Sequence, residues 1–235
     1  MTAFRGAKEA ISVERFRPAA LGPRSLEVAV VIDVLRATST ATVLLHRGSL
    51  PIRVVERAVD LPTIKTSLEM PGLVFSELSE ISDRVDNSPV LAQTVALEGR
   101  TPILITTNGT RAMIAAASRA QVVLIASFLN LSSIAAHIAQ LDPQTVTLLP
   151  AGDFVSGTPH IEDERCAEVL SGLIRGELVD IPKVTAECRS DARILRRMAV
   201  EGFGRDLDLS LTLDLCPVVM SFTSDAPSRG WITRL

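Results

Sequence analysis

The feature that most constrains the fold is a regular alternation, in which short runs of β-branched and apolar residues are each followed by a longer segment with helical apolar spacing. The first run, Val28-Ala29-Val30-Val31-Ile32, is apolar at every position, as a strand must be when helices cover both faces of its sheet. It ends at Asp33, and the spacing predicts a helix over 37–47 that stops at Gly48. Further strands are predicted at 52–55, 73–75, 102–106, 122–126 and 146–149. Helices are predicted at 61–69, 89–97, 110–119, 131–140, 161–173 and 186–200, and residues 207–221 read as a short helix leading into an apolar terminal strand. Such alternation specifies the α/β class: a three-layer α/β/α arrangement with a mostly parallel sheet, some mixed pairing remaining open. No repeat, charge block or low-complexity linker divides the 235 residues, so a single domain over 1–235 is expected.

Composition removes several function classes. Aromatic residues are 3%, with no Tyr and one Trp, and the formal net charge is -3, so neither stacking platforms nor a cationic field is available for nucleic acid. Cys166, Cys188 and Cys216 are odd in number and widely spaced, which suggests neither a disulfide framework nor a zinc knuckle and fits a reducing cytoplasm. The first 25 residues carry charges throughout, and no uncharged apolar stretch reaches the ~18 residues of a spanning helix. Secretion and membrane insertion are not expected.

The polar residues fall at the ends of the strands. The first strand runs into DVLRATST, the one near 75 into SELSE, the one near 104 into TTNGTR, the one near 124 into SFLN and the one near 147 into PAGD. In an open parallel sheet the carboxyl ends lie along one edge, so these five clusters are expected to converge on one crevice. Thr38, Ser39 and Thr40, then Thr107, Asn108, Gly109 and Thr110, then Ser127 and Asn130 stand at the starts of predicted helices, where free amides and the helix dipole favour an anion. Each cluster alone reads as ordinary N-capping. Five on one edge, with Arg36 and Arg111 beside them to grip phosphate or sulfonate oxygens, exceed what capping requires.

Acids complete the pattern. Asp33, Glu77, Asp86 and the pair Glu162-Asp163 suit a hard, oxygen-liking cation such as Mg²⁺. Glu162 and Asp163 also lie in the first turn of a predicted helix, where dipole stabilisation alone would explain them; Asp33 is harder to explain away because it ends an apolar run. There is no dinucleotide fingerprint. GDFVSGT at 152–158 has phosphate-loop spacing without the Lys, and Cys166 reads as a core residue. His46 and His137 fall within helices, whereas His160, beside the acidic pair, is a candidate for proton transfer.

The segments VVIDVLRATSTATVLLHRG, DNSP, TTNGTRA, ASFLN, IEDERCAEVL and GFGRDLDLSLTLDLCPVV occur in an order and spacing that resembles the 2-phosphosulfolactate phosphatase family over about residues 25–220. The resemblance implies an α/β, cytoplasmic, Mg²⁺-dependent phosphatase that converts 2-phospho-3-sulfolactate to 3-sulfolactate, a step toward coenzyme M in methanogens. It adds Asn87 and Ser88 of DNSP to the candidate substrate contacts. Three segments depart from the family pattern: Gly-Glu-Arg is here Ser76-Glu77-Leu78, Gly-Phe-Asp is Arg84-Val85-Asp86, and Cys-Ala-Gly is Cys166-Ala167-Glu168. The first removes a cation from the crevice, and Arg84 is a candidate to replace it.

The reading at this level is a metal-dependent phosphomonoester hydrolase for a small, multiply charged acid. Asp33, Arg36, Asn108, Arg111, Glu162 and Asp163 are the candidate catalytic residues, and Asp33, Glu77 and Asp163 the candidate Mg²⁺ ligands. Direct attack by water and an aspartyl-phosphate on Asp33 both stay open. A non-catalytic binder of a small anionic metabolite is the rival; an oxidoreductase on a similar sheet lacks its glycine fingerprint. The expected partner is a small phosphorylated acid, with neither nucleic acid nor membrane, and a homodimer is the expectation for assembly.

Overall fold

The computed structural model describes residues 11–16 and 25–235, so much of the charged N-terminal stretch lies outside the described residues. The strands are β1 (Ser12–Arg15), β2 (Leu26–Ile32), β3 (Ile52–Val55), β4 (Gly72–Phe75), β5 (Arg84–Val85), β6 (Thr101–Leu104), β7 (Ala120–Ala126), β8 (Thr145–Pro150), β9 (Met220–Ala226) and β10 (Arg229–Arg234). Among the described residues they form one sheet in the order β1-β8-β2-β7-β9-β10-β3-β6-β4-β5. The helices are α1 (Ala37–His46), α2 (Leu61–Ser67), α3 (Pro89–Ala92), α4 (Gly109–Ala117), α5 (Leu131–Leu141), α6 (Ile161–Arg175), α7 (Ile181–Ser190), α8 (Ala192–Arg197) and α9 (Phe203–Ser210).

The sheet is mixed, and the mixing matters for function. Strands β1, β8, β2 and β7 are mutually parallel, as are β3, β6, β4 and β5. Between the two sets lies the β9–β10 hairpin, joined antiparallel to β7 on one side and to β3 on the other. Three antiparallel steps reverse the direction, so the two parallel sets run in opposite senses. The expected single edge of carboxyl ends does not exist.

Core packing explains how residues from both sets still meet. Along β2, Ala29 and Val31 face one core and Val28, Val30 and Ile32 the other. The first core also takes Leu73 and Phe75 of β4, Leu104 of β6 and Ile52 and Val54 of β3, together with Ala37, Ala41 and Leu44 of α1 and Ala112, Met113 and Ala116 of α4. Both halves of the sheet therefore bury one face against the same two helices, α1 leaving β2 and α4 leaving β6. The opposite face of the β2 half is covered by α5 to α9 through Ile134, Cys166, Leu170, Cys188, Ile194 and Phe203. That of the β3–β6 half is covered by Leu61 and Ile64 of α2. This is the expected helix–sheet–helix layering, with Cys166 in the core. All three cysteines are free and buried, and among the described residues no helix is long and apolar enough to cross a membrane.

Local departures from the expected elements have local causes. The helix expected over 186–200 is split because Asp191 is extended and its carboxylate accepts the amides of Arg193 and Ile194, ending α7 and capping α8. The helix expected to reach 97 ends at Ala92, where the Arg47 guanidinium donates to the carbonyls of Ala92 and Val95. The terminal strand is a hairpin, and β1, β5 and β10 are strands that the apolar pattern did not mark, because they are short or carry charges.

Candidate active site

The N-termini of α1 and α4 abut at Asp33. A β-carbon on Gly109 would lie 2.5 Å from both Asp33 Oδ2 and Ala37 Cβ, so only glycine lets α4 approach this closely. Neither helix has a side-chain cap; the amides of Ala37 and Gly109 donate to Asp33 instead and act to lower its pKa. Burial, with the Glu77 and Glu162 carboxylates nearby, outweighs them and pushes the Asp33 carboxyl up to about 7.

A chamber of about 70 Å³ opens at this point, lined by Asp33, Leu35, Arg36, Glu77, Asn87, Thr107, Asn108, His160 and Arg197. Both halves of the sheet contribute. Glu77, after β4, accepts from the Thr107 amide at 2.7 Å, the Thr107 hydroxyl at 3.0 Å and the Asn87 amide group at 3.1 Å. Asn108 accepts the Phe154 amide at 3.0 Å, so its side chain ties the β8 loop to the site and does not cap α4.

Arg36 is expected to meet an anionic ligand, yet its guanidinium is already engaged by Asp86 at 2.5 Å and 3.1 Å and by Asp206 at 2.7 Å. Those carboxylates balance its charge. Asp206 also accepts from Ser88 Oγ at 2.5 Å, so Ser88 is part of the wall behind the chamber. Arg111 lines a neighbouring, larger cavity of about 550 Å³ with Leu78, Thr106, Thr107, Asn108 and Asp153. The Thr107–Asn108 corner separates the two spaces. Arg84, whose Nη1 donates to the Ile81 carbonyl, lines neither.

The remaining candidates are scaffold. Thr38 Oγ1 donates to the Asp33 carbonyl and accepts its amide, and Ser39 Oγ donates to Val34, so both hold the turn from β2 into α1. Thr110 closes the equivalent turn onto Thr106. Ser127 and Asn130 cap each other's backbone, and Asn130 also donates to the carbonyls of Ile125 and Val218. Thr40 Oγ1 is buried without a hydrogen-bond partner. These side chains do not line the chamber, and the turns and caps take up most of their polar groups.

The acidic pair lies beneath. Asp163 accepts the amides of Val34 at 2.7 Å and Gly152 at 3.0 Å, fastening the ends of β2 and β8 together. Glu162 is paired with Arg193 through Oε2, while its buried Oε1 has no partner. Burial drives both acids upward, Asp163 well above the usual carboxylate range with help from the Glu162 and Asp33 charges. The expected metal set Asp33, Glu77 and Asp163 does not gather as a unit; among the described residues the trio whose ligand atoms lie within 4.8 Å of one another is His160, Glu162 and Asp163. His160 lines the chamber, its pKa lowered to about 4 by burial and by the Arg193 and Arg197 charges, which leaves the imidazole neutral near pH 7. Residues 152–158 form a turn in which Asp153 accepts the amides of Val155 and Ser156, not a phosphate loop.

Arg197 and Arg193 are the site residues that sequence reasoning missed. Their signal is the i, i+4 spacing of two arginines in "RILRR", within the helix predicted at 186–200.

Fold and site together define an α/β protein with a small, acid-lined and cation-flanked chamber of the kind suited to a small anion. The model of the 2-phosphosulpholactate phosphatase family matches residues 16–225, and the chain belongs to that family. Among similar proteins, one from Deinococcus radiodurans named probable 2-phosphosulfolactate phosphatase is 32% identical over 62% of this chain and 60% of its own length. One of the same name from Synechocystis is 34% identical over 66% and 64%. A third, from Clostridium perfringens, is 31% identical over 83% of this chain and 86% of its own length. The matched part thus spans somewhat under two thirds of the first two relatives and most of the third.

Proposed function

We propose that the protein is a phosphomonoester hydrolase for a small, multiply charged acid, with 2-phospho-3-sulfolactate as the expected substrate. The observation that carries this reading is the meeting of the α1 and α4 N-termini at Asp33, within a chamber that also holds Glu77, His160 and two guanidinium groups. Two helix dipoles and fixed cations favour the charge of a phosphoryl group, and a buried carboxylate stands beside it.

Magnesium belongs to the proposal. Asp33, Glu77, Glu162 and Asp163 form a carboxylate group in which Arg193 pairs with Glu162 alone, through Oε2, and the unpartnered Glu162 Oε1 fits an oxygen-liking ion. Asp33 and Glu77, which face the chamber, are the groups to hold it; bound there, the ion would supply neutralisation of phosphate charge and polarisation of water. The protein's own groups then act as follows. An oxygen of Asp33 left uncoordinated takes the proton of the attacking water. Asn108 and Glu77 keep the Thr107–Asn108 corner rigid, which fixes the direction of approach. Asp163 positions Asp33 indirectly by holding the chain at Val34. An acyl phosphate on Asp33 would instead leave labelled phosphate on that residue after quenching in acid.

We also propose a cytoplasmic protein, in keeping with three free buried thiols, that acts on a small phosphorylated acid without nucleic acid or membrane; a homodimer is the expected assembly. The test is phosphate release from 2-phosphosulfolactate, phospholactate, phosphoglycolate and phosphoglycerate, with Mg²⁺ and with a chelator. Metal-dependent release favouring the sulfonate is expected. An ester that raises the melting temperature without being hydrolysed would make the protein a binder and overturn the proposal.

A further inference from the structure

Two guanidinium groups line the acid chamber, and they differ in what they already hold. Arg36 gives three hydrogen bonds to Asp86 and Asp206, so its charge is balanced within the protein. Arg193, one turn before Arg197 on α8, is paired with Glu162. Arg197 has no carboxylate partner among the described residues. Its guanidinium carbon lies 4.5 Å from the centre of the Phe203 ring, and Phe203 is itself fixed in the core. Stacking covers one face of the guanidinium and leaves its edge of N–H donors free, the arrangement suited to bidentate recognition of an oxyanion.

The surroundings sharpen the point. Burial and the nearby Arg36 and Arg193 charges lower the Arg197 pKa and outweigh the Glu162 and Asp33 carboxylates, which act the other way, so a cation is held there partly out of water and beside like charges. An arriving anion would relieve both costs. We propose that Arg197 is the anion-binding residue of the chamber and grips two oxygens of the substrate's phosphoryl group, while Arg36 serves as a wall tie. This rests on the phosphatase reading and adds the residue that anchors the transferred group.

Inorganic phosphate, the product of that reaction, is the probe. In R197M the side chain keeps an apolar stem over Phe203, so the melting temperature is expected to stay within a few degrees of wild type. Its phosphate affinity, measured by calorimetry, is expected to fall about 10- to 100-fold, the usual weight of a charge-assisted hydrogen-bond pair. A folded R197M that binds phosphate as tightly as wild type overturns the assignment. Should R197M fail to fold, R197K carries the test: intermediate affinity supports the bidentate grip, and wild-type affinity removes it. The two readings fail separately. Arg197-dependent phosphate binding without hydrolysis of any ester sinks the phosphatase and leaves this assignment standing. Ester hydrolysis equally fast in R197M does the reverse.

Discussion

Gly109→Ala is the most direct perturbation of the site, because it adds one methyl group where α4 meets Asp33. The new carbon would lie 2.5 Å from Asp33 Oδ2, 2.5 Å from Ala37 Cβ and 3.2 Å from Asp33 Cγ. Comfortable carbon contacts lie at about 3.5–4.0 Å, so α1 and α4 must part by roughly 1 Å. Neither neighbour is the free end of a long side chain. Two effects oppose each other: alanine gains up to about 1 kcal/mol of helix propensity over glycine, and overpacking a filled site costs about 1–3 kcal/mol. Gly109 is not among the glycines with positive φ, so backbone strain adds nothing. The clash is expected to win, lowering the melting temperature by about 2–4 °C for each kcal/mol of net loss. A shift of 1 Å at the reacting groups is also expected to cost about 100-fold in kcat/KM for ester hydrolysis, far more than the fraction unfolded at 25 °C explains. Gly204→Ala provides the contrast, since its added carbon meets the flexible tip of Met198 at 3.1 Å and should leave activity intact. Undiminished activity and unchanged or raised stability in Gly109→Ala would show that the two helices yield freely, and the close approach would then have no functional meaning.

Three further outcomes follow from particular contacts. Asp206→Ala leaves the Arg36 guanidinium with Asp86 alone and strips Ser88 of its acceptor; breaking a buried pair of this kind costs roughly 3–5 kcal/mol, to be read from urea denaturation, and a loss below about 1 kcal/mol would mean that Asp86 suffices. Arg53, buried over the Trp231 ring, holds Asp225 below the usual carboxylate range against the opposing effect of burial. Because the folded value lies below the unfolded value of 3.8, this stabilisation is present above that pH and is lost as pH falls through the folded value. The stability gap between wild type and Asp225→Asn should therefore be constant near neutrality and close in acid; a gap that widened in acid would contradict the pairing. Leu78→Arg adds a third guanidinium to the larger cavity, which Arg57 and Arg111 already line, and should lower KM about 10-fold for an ester carrying a second anion while leaving a singly charged ester unaffected. Equal effects on both esters would mean that the larger cavity does not receive the rest of the substrate.

Much of the architecture is local, and so the sequence by itself determined it. Val28 to Ile32 had to be a strand buried on both faces because no position in it tolerates water, and Asp33 stood out as an acid for the same reason. Glu77, Thr107 and Asn108 were likewise visible as polar residues at strand ends, and they do line the chamber. What the tertiary structure alone decided is direction and charge balance. Nothing in the local pattern marks β10 as a strand, and only long-range packing inserts the β9–β10 hairpin between β7 and β3, reverses half of the sheet and curls both halves over α1 and α4. Arg36 reads as a free cation until Asp206, 170 residues away, is folded against it, and Arg197 reads as a surface charge until α8 brings it to the chamber. Periodicity reports which side chains must leave water, because burial energy is a property of each residue. Which distant charge neutralises which, and which is left for a ligand, depends on distances that exist only once the chain has closed on itself.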